Sequence, residues 1–596
     1  MSTETYDIII IGGGTSGLVL ANRLSENRNL QIVVLESGED RSADQNTLTP
    51  GAWPLLSHSP EDWTFQTVPQ KEVPRDIIVP QGKALGGSSA INSFLFTSTS
   101  KATIEEWKNL GNEGWDYAAY EKALKKSYTL HKSSGVTEGN GPLQITLSSP
   151  ETLWQKAWIE GLESVGFPRT DPLSGHFGGP NIAPESIDPK TKQRSYAVNA
   201  YLDPIRSRSN LTIQTNTIVT KVLLEKYSST SDAIATGVEF ISKDGSSQVV
   251  KARKEVIICA GAINSPRILE LSGIGDADLL QRLGIDVLVD NPHVGENLQN
   301  HLFTGLTFEA RDDVETIDAF FRQEPDAIAA TMQEYATKGT GYLSTSNITT
   351  MAQLPLPEFH TEAGRKELDQ LLAASKSNSD AFQSSPTTPA FAAAHESFVR
   401  SIITNPSEAL GNYVFGSGYA PFDAPSPSYR APGKHISISI AIELSHPLSR
   451  GSVHITSSLP EHTGTNTGVA INSRYLTHPL DIEILSRQLR FTEDIISRAE
   501  PLTRYLKPFS KRFADLDIAK EYVSRTVDGA HHYTGTCAMM SREMGGVVDS
   551  RLRVDGCRNL RVCDASVIPV EPTANPQAVV YAVAEMGAGF VREEEL

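Results

Sequence analysis

The sequence predicts an α/β protein that opens on a parallel-sheet unit, and three local observations carry that expectation. Residues 6–11 (YDIIII) form a short, almost continuous β-branched run, as a strand buried on both faces should. The run breaks at Gly12-Gly13-Gly14, and a helical pattern follows over about 16–25. A second apolar run, 31–35, ends in Glu36. Strand, helix and strand in that order make a βαβ opening.

Farther along, 107–132 carries a helical pattern, with Lys and Glu interleaved among apolar positions. Residues 211–224 and 248–260 read as strands, with turn-forming stretches at 228–232 and 243–247 that suit a hairpin-like excursion. Strand-like runs return at 435–444 and 452–457. Residues 375–385 and 420–434 are rich in Ser, Pro and Gly, so 370–435 reads as surface loops or a lid. Its rings, Phe382, Phe391, Tyr413, Phe415, Tyr419 and Phe422, suit an aromatic-accepting cavity or, equally, anchors pinning a long loop to the core. The chain has no internal repeat.

Composition bounds the function classes. Hydrophobic residues make up 39% and charged residues 21% of 596, a globular balance with ample material for a core. The formal net charge of −18 repels phosphate backbones and anionic membranes, which argues against nucleic-acid and membrane partners. The four cysteines form no CxxC pair and no Cys/His cluster of zinc spacing, so neither a metal site nor a disulfide scaffold is expected. Cys259, inside the apolar run 256–260, reads as a buried thiol. No apolar run approaches the ~20 residues of a membrane span. The first residues pass almost directly into a strand, without a basic stretch and apolar leader. A cytoplasmic protein is the expectation.

Gly12-x-Gly14-x-x-Gly17 lies between strand and helix. The first glycine permits the tight turn, the second lets a pyrophosphate approach the backbone, and the third lets helix and strand pack closely. The helix start then offers free N–H groups and a positive dipole end to phosphates. Glu36 stands about 20 residues beyond Gly17, where a carboxylate reaches ribose hydroxyls. These features together predict dinucleotide binding. They do not separate FAD from NAD, but an acid here disfavours the 2′-phosphate of NADP.

Three further stretches narrow the choice. Residues 82–92 (GKALGGSSAIN) resemble the first signature of the glucose–methanol–choline (GMC) oxidoreductase family, and 261–275 (GAINSPRILELSGIG) resemble its second. Residues 532–537 (HYTGTC), with 564–566 (DAS) and 575–577 (NPQ), resemble its catalytic region. The motifs keep the family's order and span almost the whole chain. The resemblance implies FAD, a Rossmann-type FAD-binding domain (1–160, 205–302 and 546–596), and an interleaved α+β substrate domain built on an antiparallel sheet (161–204 and 303–545).

Carried over by position, Thr15, Ser16 and Glu36 would lie at the ADP half with the three fingerprint glycines, and Val219 would touch adenine through its backbone. Gly86, Ser88, Asn92 and Leu95 would line the pyrophosphate and flavin. Asp564, Ala565 and Gln577 would close the site from the C-terminal side. On their own chemistry, Gly86-Gly87 allow close backbone approach, and Ser88 and Ser89 add small hydroxyl donors. Members with a histidyl-linked flavin carry histidine in the first signature where this chain has Ile91. An aliphatic side chain cannot attack the flavin, so non-covalent FAD is expected.

The implied chemistry is oxidation of an alcohol by hydride transfer to flavin N5. That requires a base for the hydroxyl proton, and histidine, with an unperturbed pKa near ~6.5, suits the task. Of His531 and His532, the spacing to Gly535-Thr536 favours His532. If the segment is extended, His531 points the other way and is a packing residue or one that supports the site from behind. The family's second catalytic position holds His or Asn, and here it is Asn575, whose N–H can donate to a developing alkoxide. Asn575 offers no cation for a carboxylate, which counts against formate as substrate. His301, in Asn297-Leu298-Gln299-Asn300-His301, matches another family stretch and reads as structural, near the domain junction. The partners implied are a small-molecule alcohol and O₂ or another electron acceptor. A lyase or cyclase that keeps FAD as a structural element, with His532 as acid and base, is the alternative.

Overall fold

A computed structural model describes residues 4–132, 134–147, 151–228, 231–377, 388–422, 432–459 and 466–595. The apolar opening forms strand β1 (Thr5–Ile11), helix α1 (Thr15–Leu24) and strand β2 (Ile32–Leu35). Ile8 to Ile11 pair in parallel with Ile32 to Leu35 on one side and with Glu255 to Ile258 on the other. Those strands belong to a seven-stranded sheet ordered Ile218–Glu225, Ile234–Ile241, Ser247–Ile258, β1, β2, Leu211–Gln214, with Leu560–Val562 beside Ser247–Ile258. The long strand Ser247–Ile258 runs antiparallel to Ile234–Ile241 over its first half and parallel to β1 and Leu560–Val562 over its second. Against this sheet α1 packs beside the C-terminal helix Gln577–Glu595, which also meets the helix Tyr117–Ser127.

A second sheet is entirely antiparallel. Its order is Asp528–Gly529, Leu302–Glu309, Ser437–Leu444, Gly411–Gly416, Thr350–Leu354, Gly179–Ile182. Gln299 bridges Thr534 just before the strand Leu302–Glu309, so the start of this sheet runs beside the segment that carries His532. Among the described residues no helix is long and apolar enough to cross a membrane.

Several expectations change on contact with the structure. The helical run 107–132 is two helices, Lys101–Asn109 and Tyr117–Ser127, followed by the strand Tyr128–His131. Gly111 and Gly114 take positive φ (99° and 88°), and the Asp116 side chain caps the second helix by accepting from Ala119 N–H. The run 211–224 is two strands, broken at Asn216 with φ of 54°. Part of the turn at 228–232 lies outside the described residues, and the strands flanking it pair antiparallel.

The loop or lid segment 370–435 differs most. Its described part holds the end of the helix Glu362–Ser377, the helix Pro389–Thr404 and the strand Gly411–Gly416, which is interior to the second sheet. Phe391, Tyr413 and Phe415 are buried, and Phe415 packs on Trp154 and Trp158 with centroids 5.8 and 5.3 Å away. These rings belong to the core. Phe422 meets Phe303 edge-on, Tyr419 N–H bonds Asp318 at 2.8 Å, and Phe382 lies outside the described residues.

Packing is tight at the third fingerprint glycine: a Cβ on Gly17 would stand 1.9 Å from the Gly12 carbonyl oxygen. Gly17→Ala is expected to cost about 1–3 kcal/mol or more of stability by overpacking, read as a fall in Tm. An unchanged Tm would contradict this packing.

Candidate active site

One cavity runs from the end of β2 to the junction of the two sheets. Its outer end is backbone. Gly12 turns with φ of 104°, and a Cβ there would also meet the Cys259 carbonyl oxygen at 2.4 Å. Gly14 caps α1 with no side-chain hydrogen bond, so the first N–H groups of the helix face the cavity beside Thr15 and Ser16. The Ser16 hydroxyl is buried without a partner. Across the trough, Gly87 comes so close that a Cβ on it would stand 2.8 Å from Gly14 Cα.

Glu36 closes this end. Its carboxylate accepts from Gly13 N–H and Gly38 N–H, both at 2.7 Å, and burial pushes its pKa up against those bonds. Thr217 N–H bonds the Glu36 carbonyl at 2.9 Å, which brings Thr217, Ile218 and Val219 into the wall. Asp564 lies deeper and is buried. It accepts from Gly261 N–H (2.9 Å), Ser265 Oγ–H (2.5 Å) and Ser566 N–H (2.8 Å), tying the second signature to the C-terminal segment. Burial raises its pKa as well.

The middle is built on Asn92. Its amide donates to Gln577 and its oxygen accepts from Arg194 Nη1 at 2.7 Å. Arg194 is fully buried, lies 3.6 Å over the Phe94 ring, and is pushed down to about 9 by burial. Leu95 packs with Ala183, Met351 and Val414, where the wall passes to the antiparallel sheet. Ile91 packs against the core.

Two histidines and an amide meet at the inner end. His532 Nε2 lies 3.0 Å from Asn575 Nδ2, and His532 Nδ1 lies 2.8 Å from His301 Nδ1. His301 Nε2 is 2.7 Å from the Pro572 carbonyl. Asn300 Oδ1 accepts from His532 N–H at 2.8 Å and fixes the backbone. Burial, together with His301 and His531, holds His532 well below the usual histidine pKa, and burial takes His301 down to about 4.

Gly12, Gly14, Thr15, Ser16, Glu36, Ser88, Asn92, Leu95, Val219, Asp564, Ala565, Gln577, His532 and Asn575 therefore share one wall. Gly17 and Gly86 lie behind it, against Gly12 and Tyr196 respectively. Two readings change. His531 has φ of 64°, so the segment is not extended there, and the residue lines the cavity beside His532, whose pKa it helps to lower. His301 is buried at the junction, as a structural residue would be, yet it contacts His532 directly. Sequence reasoning missed Arg194 and Trp63, which stand in no motif. Arg267 also lines the cavity and lay unremarked within the second signature.

Comparisons with known proteins agree with this geometry. Two family models, both described as GMC oxidoreductase, match residues 6–303 and 447–584. The chain belongs to the GMC oxidoreductase family. It is 34% identical over 615 aligned positions to the GMC oxidoreductase family protein Mala s 12 of Malassezia sympodialis, covering 99% of this chain and 92% of that one. It is 31% identical to the oxygen-dependent choline dehydrogenase of Escherichia coli O157:H7, covering 99% and 95%. An FAD-dependent oxidoreductase from Chaetomium thermophilum superposes with a TM-score of 0.86 at 27% identity, over 99% of both chains.

Membership of this GMC family implies FAD, and the site fits it. The cavity joins a helix N-terminus and an orphan hydroxyl, suited to phosphates, with a buried acid suited to ribose hydroxyls. Glu36→Ala would leave the Gly13 and Gly38 amides unpaired, at about 1–3 kcal/mol each. The purified variant is expected to carry less flavin per protein than the wild type by absorbance; an equal ratio would contradict this role.

Proposed function

We propose that this GMC oxidoreductase oxidises an alcohol to an aldehyde or ketone, with His532 as the base and Asn575 orienting the substrate oxygen. The observation that carries the proposal is the 3.0 Å approach of His532 Nε2 to Asn575 Nδ2 at the inner end of the cavity. A hydroxyl entering there meets a proton acceptor and an N–H donor at once. His532 takes the proton while Asn575 donates to the oxygen as charge builds on it. A His532 held well below the usual pKa is neutral, and so able to accept, at and below neutral pH. FAD, bound non-covalently along the trough, would supply the hydride acceptor at N5.

The same reading assigns the chain to an FAD-binding domain (1–160, 205–302 and 546–596) and a substrate domain (161–204 and 303–545). The strand memberships support it. The strands of the first sheet fall within the first set, and those of the second fall in the other, apart from Leu302 at its edge. Ile91 in the first signature supports a non-covalent cofactor.

Primary and secondary alcohols added without oxygen are expected to bleach the flavin band for one class of alcohol. A holoprotein that no alcohol bleaches would sink the redox proposal and leave a lyase or cyclase. His532→Ala should keep FAD and nearly abolish that bleaching. In a separate stopped-flow series, Asn575→Ala should slow it by ~10²–10³, the usual loss on removing one oxyanion donor. Wild-type reduction rates in either variant would overturn its assigned role.

A further inference from the structure

The hydrogen bonds behind His532 have one self-consistent direction. The Pro572 carbonyl can only accept, so His301 Nε2, 2.7 Å away, carries a hydrogen. Neutral imidazole has one N–H, so His301 Nδ1 is a lone pair, and His532 Nδ1 must donate to it across 2.8 Å. That leaves His532 Nε2 bare, facing the Asn575 amide. A backbone carbonyl two residues removed thereby selects the basic nitrogen of His532.

A second row of hydrogen bonds arrives through the antiparallel sheet. Asn181 Nδ2 donates to Gln353 Oε1 (2.6 Å), Gln353 Nε2 to Asn412 Oδ1 (2.8 Å), and Asn412 Nδ2 to Glu443 Oε2 (2.6 Å). Gln353 stands opposite Asn412, and Asn412 opposite Glu443, on neighbouring strands. The three amides are fully buried, and their dipoles run head to tail toward the carboxylate. A carboxylate oxygen of Glu443 and one ring nitrogen each of His301 and His532 lie within 4.8 Å of one another.

We propose that His301 is a positioning residue that keeps Nε2 of His532 unprotonated, and that Glu443 is the counter-charge to the proton this pair takes up. The inference rests on His532 being the base. When the substrate O–H breaks and Nε2–H forms, the Nδ1 proton of His532 can pass to His301 Nδ1, and no electrons leave the pair. The pair becomes a cation beside a carboxylate, so no isolated charge is created in the interior. The groups facing the pair are Glu443 from the sheet, His531 beside His532, and Glu571, whose carboxylate accepts the backbone N–H of His301 and lies 3.9 Å from its Nε2, with His446 and Arg450 behind. Burial pushes Glu443 up to about 7 against the pull of Asn412, while both imidazoles lie lower. Above about pH 7 Glu443 is therefore ionised while both imidazoles are neutral, which is the state a counter-charge requires.

Nitrogen-15 histidine NMR of the FAD-loaded, substrate-free protein reads this directly. Expected are a protonated Nδ1 and an unprotonated Nε2 on His532, with a far-downfield Nδ1–H resonance that His532→Ala removes. His301→Gln, whose amide offers both an acceptor and a donor, should preserve that tautomer. His301→Leu should lose it while retaining FAD. Glu443→Gln should slow anaerobic flavin reduction by about 10–10³-fold above pH 7, the range for loss of one nearby opposite charge, and should remove the fall in that rate expected as the wild type is taken below pH 7 and Glu443 takes a proton. A His532 tautomer unchanged in His301→Leu, or a reduction rate and pH profile unchanged in Glu443→Gln, overturns the proposal. The base assignment fails separately, if His532→Ala reduces its flavin at the wild-type rate.

Discussion

Where the turn after β1 meets the turn at Gly82–Gly87, backbone lies on backbone with no side chain between. A Cβ on Gly12 would sit 2.4 Å from the Cys259 carbonyl oxygen, one on Gly87 2.8 Å from Gly14 Cα, and one on Gly82 2.1 Å from Gly87 carbonyl carbon. That contact joins three chain segments far apart in sequence and leaves a trough whose walls are N–H groups and small hydroxyls. The helix dipole of α1 and the carboxylate of Glu36 gain their meaning from it. So does the inner end of the cavity: the strand Leu302–Glu309 leaves the junction at the point where His301 and His532 touch.

The two ends of the cavity make opposite electrostatic demands. At the outer end, uncapped N–H groups and the positive end of α1 favour an anionic ligand. At the inner end, burial disfavours any new charge, and His301, His446 and His532 are all held below the ordinary histidine pKa. A neutral imidazole there is a ready acceptor, and the positive charge it gains needs an answer nearby. The antiparallel sheet carries buried amides and Glu443 on the strands that meet this point, where an ordinary core would be apolar.

Much of the outer end was legible in the sequence because it is local. Strand, glycine turn, helix and terminal acid are contiguous, so residues 6–36 predict their own geometry. The inner end was legible only through motifs: His532 and Asn575 are 3.0 Å apart in space, yet no periodicity links them. The amide row and Arg194 were not legible. Asn181, Gln353, Asn412 and Glu443 come from four strands that only the completed sheet brings together. The segment 370–435 misled for the opposite reason. Its Ser- and Pro-rich stretches flank a strand, Gly411–Gly416, whose place inside the sheet is set by partners at 350–354 and 437–444. The supposed extended stretch at His531 failed on one residue's positive φ.

The most direct test of the account is an experimental structure of the FAD-loaded protein. The account predicts the pyrophosphate across Gly14 and Gly87, a ribose on Glu36, and the flavin N5 facing the space between His532 Nε2 and Asn575 Nδ2. A flavin whose N5 faces away from both side chains, or a cofactor lying elsewhere than along this trough, would contradict it.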